Sequence, residues 1–183
     1  LAYADLHGGE TVIDAYCGTG TISLCLAQKA GRVIGIEIVK EAIEDAKKNA
    51  AFNHIENAEF YAADAGEFMP KLYQEGLRPD VIVMDPVRAG CSETVLSAAA
   101  GMQPSRIVYV SCNVATFARD AKILAGLGYT VKEVTPVDMF PQTMHVETIS
   151  LLVLRNPLTH INIDVDADVE EMVQDKRGLA SDG

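Results

Sequence analysis

The sequence has no tryptophan, and aromatic residues make up only 6% of it. Any core must therefore be built from aliphatic side chains and alanine. No apolar run approaches the ~18–20 residues that a membrane-spanning helix needs, and residues 1–10 have neither the basic start nor the apolar centre of a secretory signal. Four cysteines occur, Cys17, Cys25, Cys91 and Cys112. Their spacing gives no paired CxxC units, so a structural zinc site is excluded and no metal is expected. Nothing points to secretion, which leaves reduced thiols and a cytoplasmic location as the expectation. Basic residues are also scarce: the formal net charge of the 183 residues is −11. Residues 156–183 hold seven acids and two bases, a net −5, and residues 1–155 hold 19 acids and 13 bases, a net −6. Phosphate neutralisation needs Lys and Arg, so bulk charge opposes nucleic-acid binding by this chain alone.

What is present is an alternation of β-rich runs and helical stretches, with 49% apolar residues, enough for one packed domain. Strands are expected at Thr11–Ala15, Arg32–Glu37, Ala58–Ala62, Val81–Met84 and Arg106–Val110. Helices are expected from about Thr21 to Ala30, over Val39–Asn53, Ser92–Gly101 and Val114–Gly126, with a short one between the third and fourth strands. In the second helix Val39, Ala42, Ile43, Ala46 and Ala50 recur at spacings of three and four. Tyr129–Val137 and Thr148–Leu154 leave no room for a helix between them and should pair as a hairpin. Such strand–helix repeats imply a mostly parallel sheet with helices on both faces. The closing antiparallel hairpin makes it the seven-stranded, Rossmann-like sheet of class I S-adenosylmethionine-dependent methyltransferases, an α/β fold. Residues 1–155 form this catalytic domain. Residues 156–183 read as an acidic extension, with alternation over Ile161–Val165 suggesting an edge strand before a loose tail.

The first strand runs into Asp14-Ala15-Tyr16-Cys17-Gly18-Thr19-Gly20. This is neither the dinucleotide GxGxxG spacing nor a Walker A loop, and no lysine follows to hold phosphates. A Gly turn of this kind suits a ligand without a pyrophosphate. Glu37 closes the second strand, where a carboxylate can accept the two hydroxyls of a ribose. Asp64 follows the third strand, placed either for an adenine amino group or as a helix N-cap. Asp85 ends the fourth strand. Acids at the carboxyl ends of successive strands converge on the crevice where open α/β sheets bind ligands. Together they indicate an adenosine cofactor without phosphate, and S-adenosylmethionine fits.

Three further motifs lie on loops at the same edge: Asp85-Pro86-Val87-Arg88-Ala89-Gly90-Cys91, Tyr109-Val110-Ser111-Cys112-Asn113 with Thr116-Phe117-Ala118-Arg119-Asp120 close behind, and the loop from Asp138 to Glu147 ending in His145-Val146-Glu147. With DAYCGTG and IGIEIVKEAIEDAKKNA, they make the chain resemble the RNA uracil-5 methyltransferases, which form 5-methyluridine in transfer and 23S ribosomal RNA. The resemblance covers about residues 5–155. Val87 and Val114 stand where the family usually has proline, and neither change removes a reactive group.

The resemblance implies Cys112 as nucleophile and Glu147 as general base. It implies contacts to S-adenosylmethionine from Tyr16, Glu37 and Asp85, beside Gly18, Gly20 and Asp64 of the Gly turn and third strand. Arg88 and His145 are then candidates to hold the uracil. The family's N-terminal RNA-binding domain and a cofactor-binding Gln have no counterpart here. The start at Leu1 rather than Met fits a piece of a longer protein, with RNA (ribosomal ahead of transfer) bound mainly elsewhere. In some members N-terminal cysteines hold an iron–sulfur cluster, for which this chain has no residues.

The chemistry itself asks for these groups. Uracil C5 is a weak carbon nucleophile until a thiolate adds at C6, and a base must then remove the C5 proton. Cys112 lies just before a helix, where free N–H groups favour thiolate. An RNA cytosine-5 methyltransferase would carry a cysteine where Arg88 stands. A small-molecule methyltransferase would need neither Cys112 nor the final motif, and a non-catalytic cofactor-binding module would function without Cys112.

Overall fold

The computed structural model describes residues 1–139, 141–143 and 146–155. Among the described residues twelve elements follow one another: β1 (Thr11–Asp14), α1 (Thr21–Ala27), β2 (Arg32–Glu37), α2 (Lys40–Phe52), β3 (Ala58–Ala62), α3 (Ala65–Gln74), β4 (Val81–Met84), α4 (Glu93–Gly101), β5 (Arg106–Ser111), α5 (Val114–Gly126), β6 (Tyr129–Val137) and β7 (Glu147–Leu154). They form one seven-stranded sheet in the order β3-β2-β1-β4-β5-β7-β6. The first five strands are parallel, and β7 enters antiparallel between β5 and β6. This is the Rossmann-like methyltransferase sheet that the element pattern predicts. Among the described residues no helix is long and apolar enough to cross a membrane.

Strand side chains alternate between the two faces of a pleated sheet, and both faces here are buried. Ile13, Ile34, Ile82, Ile107 and Tyr109 pack on one face with residues of α3, α4 and α5. Their neighbours Val12, Val33, Val81, Val83 and Val108 pack on the other with Leu26 and Ala27 of α1. The buried residues of α2, Ile43, Ala46 and Ala50, close over Cys17 and Phe60. Helices therefore cover both faces, and a core without tryptophan is filled by branched aliphatics.

Helix α1 stops at Ala27, three residues before the expected end. The side chain of Asn57 takes its last carbonyls, donating to Ala27 O at 2.8 Å and Ala30 O at 2.9 Å. A distant residue thus ends a helix whose own sequence would continue.

Gly35 of β2 pairs with Phe60 of β3. A Cβ on Gly35 would lie 2.6 Å from Phe60 Cδ1 and 2.9 Å from Cys17 Sγ. The ring, only 5% exposed, occupies the space that glycine leaves. Gly35→Ala should therefore destabilise the fold by ~1–3 kcal/mol through overpacking, read as a lowered urea midpoint. An unchanged midpoint would mean that Phe60 moves aside freely.

Candidate active site

The strand order reverses between β1 and β4, and the crevice outside their carboxyl ends is where such sheets bind ligands. The Gly turn lies at its base. Gly18 and Gly20 take φ of +51° and +88°, values that suit glycine. A Cβ on Gly18 would meet nothing within 4 Å, so the turn faces open space there. Glu37 straps the turn to β2. Its Oε2 accepts from Gly18 N at 3.2 Å and its Oε1 from Val39 N at 3.0 Å.

Asp14, which ends β1, is fully buried. Its Oδ2 accepts from Ser23 Oγ at 2.7 Å, whereas Oδ1 has no hydrogen-bond partner. Lost hydration raises its carboxyl to about 6 against the ordering effect of the Ser23 hydroxyl, and the charge of Asp85 adds to the rise. Because the folded value lies above the ordinary 3.8, the folded state holds more protons between those limits. Stability should then fall as pH rises from about 4 to about 6. Asp14→Asn should gain on the wild type by roughly 3 kcal/mol across that window, measured by urea unfolding at its two ends. Parallel stability curves would contradict the assignment.

Asp64 caps α3, its Oδ1 accepting from Gly66 N at 2.8 Å and Glu67 N at 3.2 Å. The N-cap alternative for this residue is thus realised, while its charge still reaches the Tyr16 hydroxyl across the crevice. Tyr16 is half-buried, and lost hydration pushes its hydroxyl up ahead of the charges of Cys91 and Asp64.

Asp85 keeps an exposed edge at the end of β4, yet its carboxyl is raised, first by lost hydration and then by the charge of Glu147. The start of β7, with Glu147, lies at the same sheet edge as the end of β4 that Asp85 follows. Cys112 joins them through strand register. Ser111 of β5 pairs with Thr148 of β7, and Thr148 Oγ1 donates to Ser111 O at 3.3 Å. Cys112 follows the last paired residue of β5 and Glu147 precedes Thr148 at the start of β7, so the two flank the Ser111–Thr148 pair at the same end of the sheet. Cys112 is half-buried, between β5 and Asn113, the residue that caps α5.

The loop carrying Arg88 is fastened to the start of α5. Arg88 O accepts from Asn113 Nδ2 at 3.4 Å and from Thr116 Oγ1 at 3.3 Å. Further along, Arg119 Nη2 donates to Ala89 O at 3.0 Å and Cys91 O at 3.1 Å, and Cys91 N donates to Asp120 Oδ2 at 2.8 Å. His145 lies outside the described residues, as do 156–183 with the expected edge strand at Ile161–Val165. Asp14, Asn113, Thr116, Arg119 and Asp120 have no assigned role in the sequence reading. The signal for the last four is the close following of Cys112 by TFARD, whose spacing from Asn113 puts Thr116 and Asp120 on one helix face.

The other thiols are set apart from Cys112. Cys91 is buried against Met84, and lost hydration pushes its thiol up to about 11. Cys17 is buried and its thiol is raised by lost hydration, ahead of the charges of Asp14 and Glu37. Cys25 of α1 is exposed. Among the described residues no cluster of three or more His, Cys, Asp or Glu could hold a metal ion.

Known proteins carry the same pattern. An RNA methyltransferase of Bacillus cereus is 59% identical over 152 residues, 83% of this chain and 33% of that protein. One from Halalkalibacterium halodurans is 56% identical over 156 residues, 85% of this chain and 34% of that protein. The chain thus spans about a third of the length of the curated relatives it matches. The crystal structure of a tRNA (uracil-54, C5)-methyltransferase from Pyrococcus abyssi, in complex with S-adenosyl-L-homocysteine, superposes with a TM-score of 0.70. It is 36% identical, and the match covers 83% of this chain and 36% of that one. The fold is that of the S-adenosylmethionine-dependent methyltransferases. Residues 6–150 match the family model of a methyltransferase domain, and the chain belongs to that family.

Proposed function

We propose that this chain is the catalytic domain of an enzyme that methylates C5 of a uridine in RNA, with Cys112 as nucleophile and Glu147 as base. The observation that supports this reading is the β5–β7 register: the Ser111–Thr148 pair is flanked by Cys112 on the β5 side and Glu147 on the β7 side, at the sheet edge where Asp85 follows β4. A generic methyl transfer to an existing nucleophile needs no such pair. The likeness to RNA methyltransferases and to a tRNA uracil-5 enzyme supports the substrate class. The net negative charge assigns most of the RNA affinity to a separate part of the full-length protein.

The crevice suits S-adenosylmethionine. The unpartnered, buried Oδ1 of Asp14 is the complement of an α-ammonium group. Glu37 keeps lone pairs for a ribose diol, since each of its oxygens accepts a single amide. Tyr16 and Asp64 line the same space, and the exposed side chain of Ile38 offers an apolar surface to a base. When bound, the cofactor supplies an electrophilic methyl group.

The residues then act on the uracil. The target nucleotide leaves its stack to enter the crevice. The Cys112 thiolate forms a bond to C6, and the C5–C6 π electrons move towards O4 as an enolate, making C5 nucleophilic. Arg88 balances the charge on that oxygen, and the proposed role of His145 is to hold the base. After C5 carries the methyl group, Glu147 takes its proton. The electron pair left behind restores the C5–C6 double bond, and the C6–sulfur bond breaks to return the thiolate.

The test uses RNA tritiated at uracil C5. Full-length enzyme and S-adenosylmethionine should release tritium to water in step with methyl transfer. Methyl transfer with the tritium retained would place the reaction at another atom.

A further inference from the structure

Asp120 is a fully buried carboxylate that the chemistry above does not use. Four donors converge on it. Tyr109 Oη donates to Oδ2 at 2.5 Å, and so does Cys91 N at 2.8 Å. Arg119 reaches Oδ1 through Nε at 2.8 Å and Nη2 at 2.7 Å. The three residues that supply them belong to different parts of the site: Tyr109 to the strand leading into Cys112, Cys91 to the loop begun by Asp85, and Arg119 to α5.

The loop lies directly on this ion pair. A Cβ on Gly90 would come within 2.6 Å of Asp120 Oδ2 and 2.7 Å of Arg119 Nη2, and Gly90 holds φ of +77°. One helix face presents Asn113, Thr116 and Asp120 to the loop, at successive spacings of three and four. The first two turns of the helix that follows Cys112 therefore fix the segment carrying Arg88.

We propose that Asp120 is a positioning residue, which sets the 85–91 loop, and with it Asp85 and Arg88, at a fixed place relative to Cys112. What the loop then does rests on the uracil-5 reading above. The buried charge suits this role. A neutral amide of the same shape would have to turn its NH2 group either towards the Cys91 amide or towards the Arg119 guanidinium, both of which only donate, leaving buried donors unmatched. The Asp120–Arg119 pair also works as a unit, because the same guanidinium holds two loop carbonyls.

Asp120→Asn and the wild-type full-length enzyme would be compared by amide hydrogen exchange and by C5-tritium release. The 87–91 amides should exchange at least ~10-fold faster in the variant, with Val33–Ile36 unchanged, because the opening is local. Tritium release should fall ~10–100-fold, as expected for a misplaced site group. A purely structural role would instead raise exchange throughout the sheet and leave turnover per folded molecule intact, which would overturn the proposal. Wild-type exchange in 87–91 would overturn it as well. Should Asp120→Asn not fold, Tyr109→Phe removes a single donor and should shift both readouts the same way by less. If the wild type releases no tritium, the uracil-5 reading fails, and the exchange experiment still decides whether Asp120 holds the loop.

Discussion

Cys112→Ala in the full-length enzyme should lower single-turnover methyl transfer to RNA by on the order of 10⁴-fold or more, comparable to losing the nucleophile of other covalent enzymes. The size follows from the substrate. Without addition at C6, C5 of uracil has no electron pair to offer, so the variant lacks the reaction path rather than a contact. Affinity for S-adenosylmethionine should stay within about twofold, because the proposed cofactor contacts come from Asp14, Tyr16, Glu37, Asp64 and Asp85 and not from Cys112. Stability should change little: Cys112 is half-buried, and the α5 cap is made by Asn113, which accepts from Ala115 N at 3.0 Å. Transfer above a tenth of the wild-type rate would place the methyl group on a substrate that needs no activation.

Glu147→Gln should have the second largest effect, and a different one. Loss of a positioned base costs ~10²–10⁴-fold in the step it serves. Addition of the thiolate and methyl transfer precede that step, so the variant should accumulate enzyme joined covalently to methylated RNA. A denaturing gel with unmodified RNA would show the band. The wild type should show almost none, because elimination follows quickly. The substitution also removes the charge that helps raise the Asp85 carboxyl, so that group should titrate lower in the variant. A variant that is slow without accumulating the joined species would assign Glu147 to an earlier step.

The sheet was legible because its strands are short apolar runs ended by turn residues, and because helices of about 10 residues lie between them. The hairpin was legible from the lack of room for a helix. That β7 enters between β5 and β6 was not, since either hairpin strand could pair with β5 on the evidence of alternation alone. This order matters most for the proposed function, because it brings the start of β7, with Glu147, to the end of β5 that Cys112 follows. The end of α1 depends on Asn57, 30 residues beyond Ala27, and no local pattern encodes it. Asp64 satisfied both its readings in sequence, and only the amide contacts show that it caps α3. The strap from Glu37 to the Gly turn and the buried Asp120 escaped for one reason: a carboxylate's partners come from other loops, and spacing does not name them.

The most direct test of the account uses RNA carrying 5-fluorouridine, incubated with the full-length enzyme and S-adenosylmethionine. Fluorine at C5 cannot be taken as a proton by Glu147, so the reaction should stop with RNA bonded to protein. Digestion and mass spectrometry should find the bond on Cys112, and Cys112→Ala should form no adduct. Ordinary RNA methylated at full rate while the fluorinated RNA forms no adduct, or an adduct on another residue, would contradict the assignment of Cys112 as nucleophile.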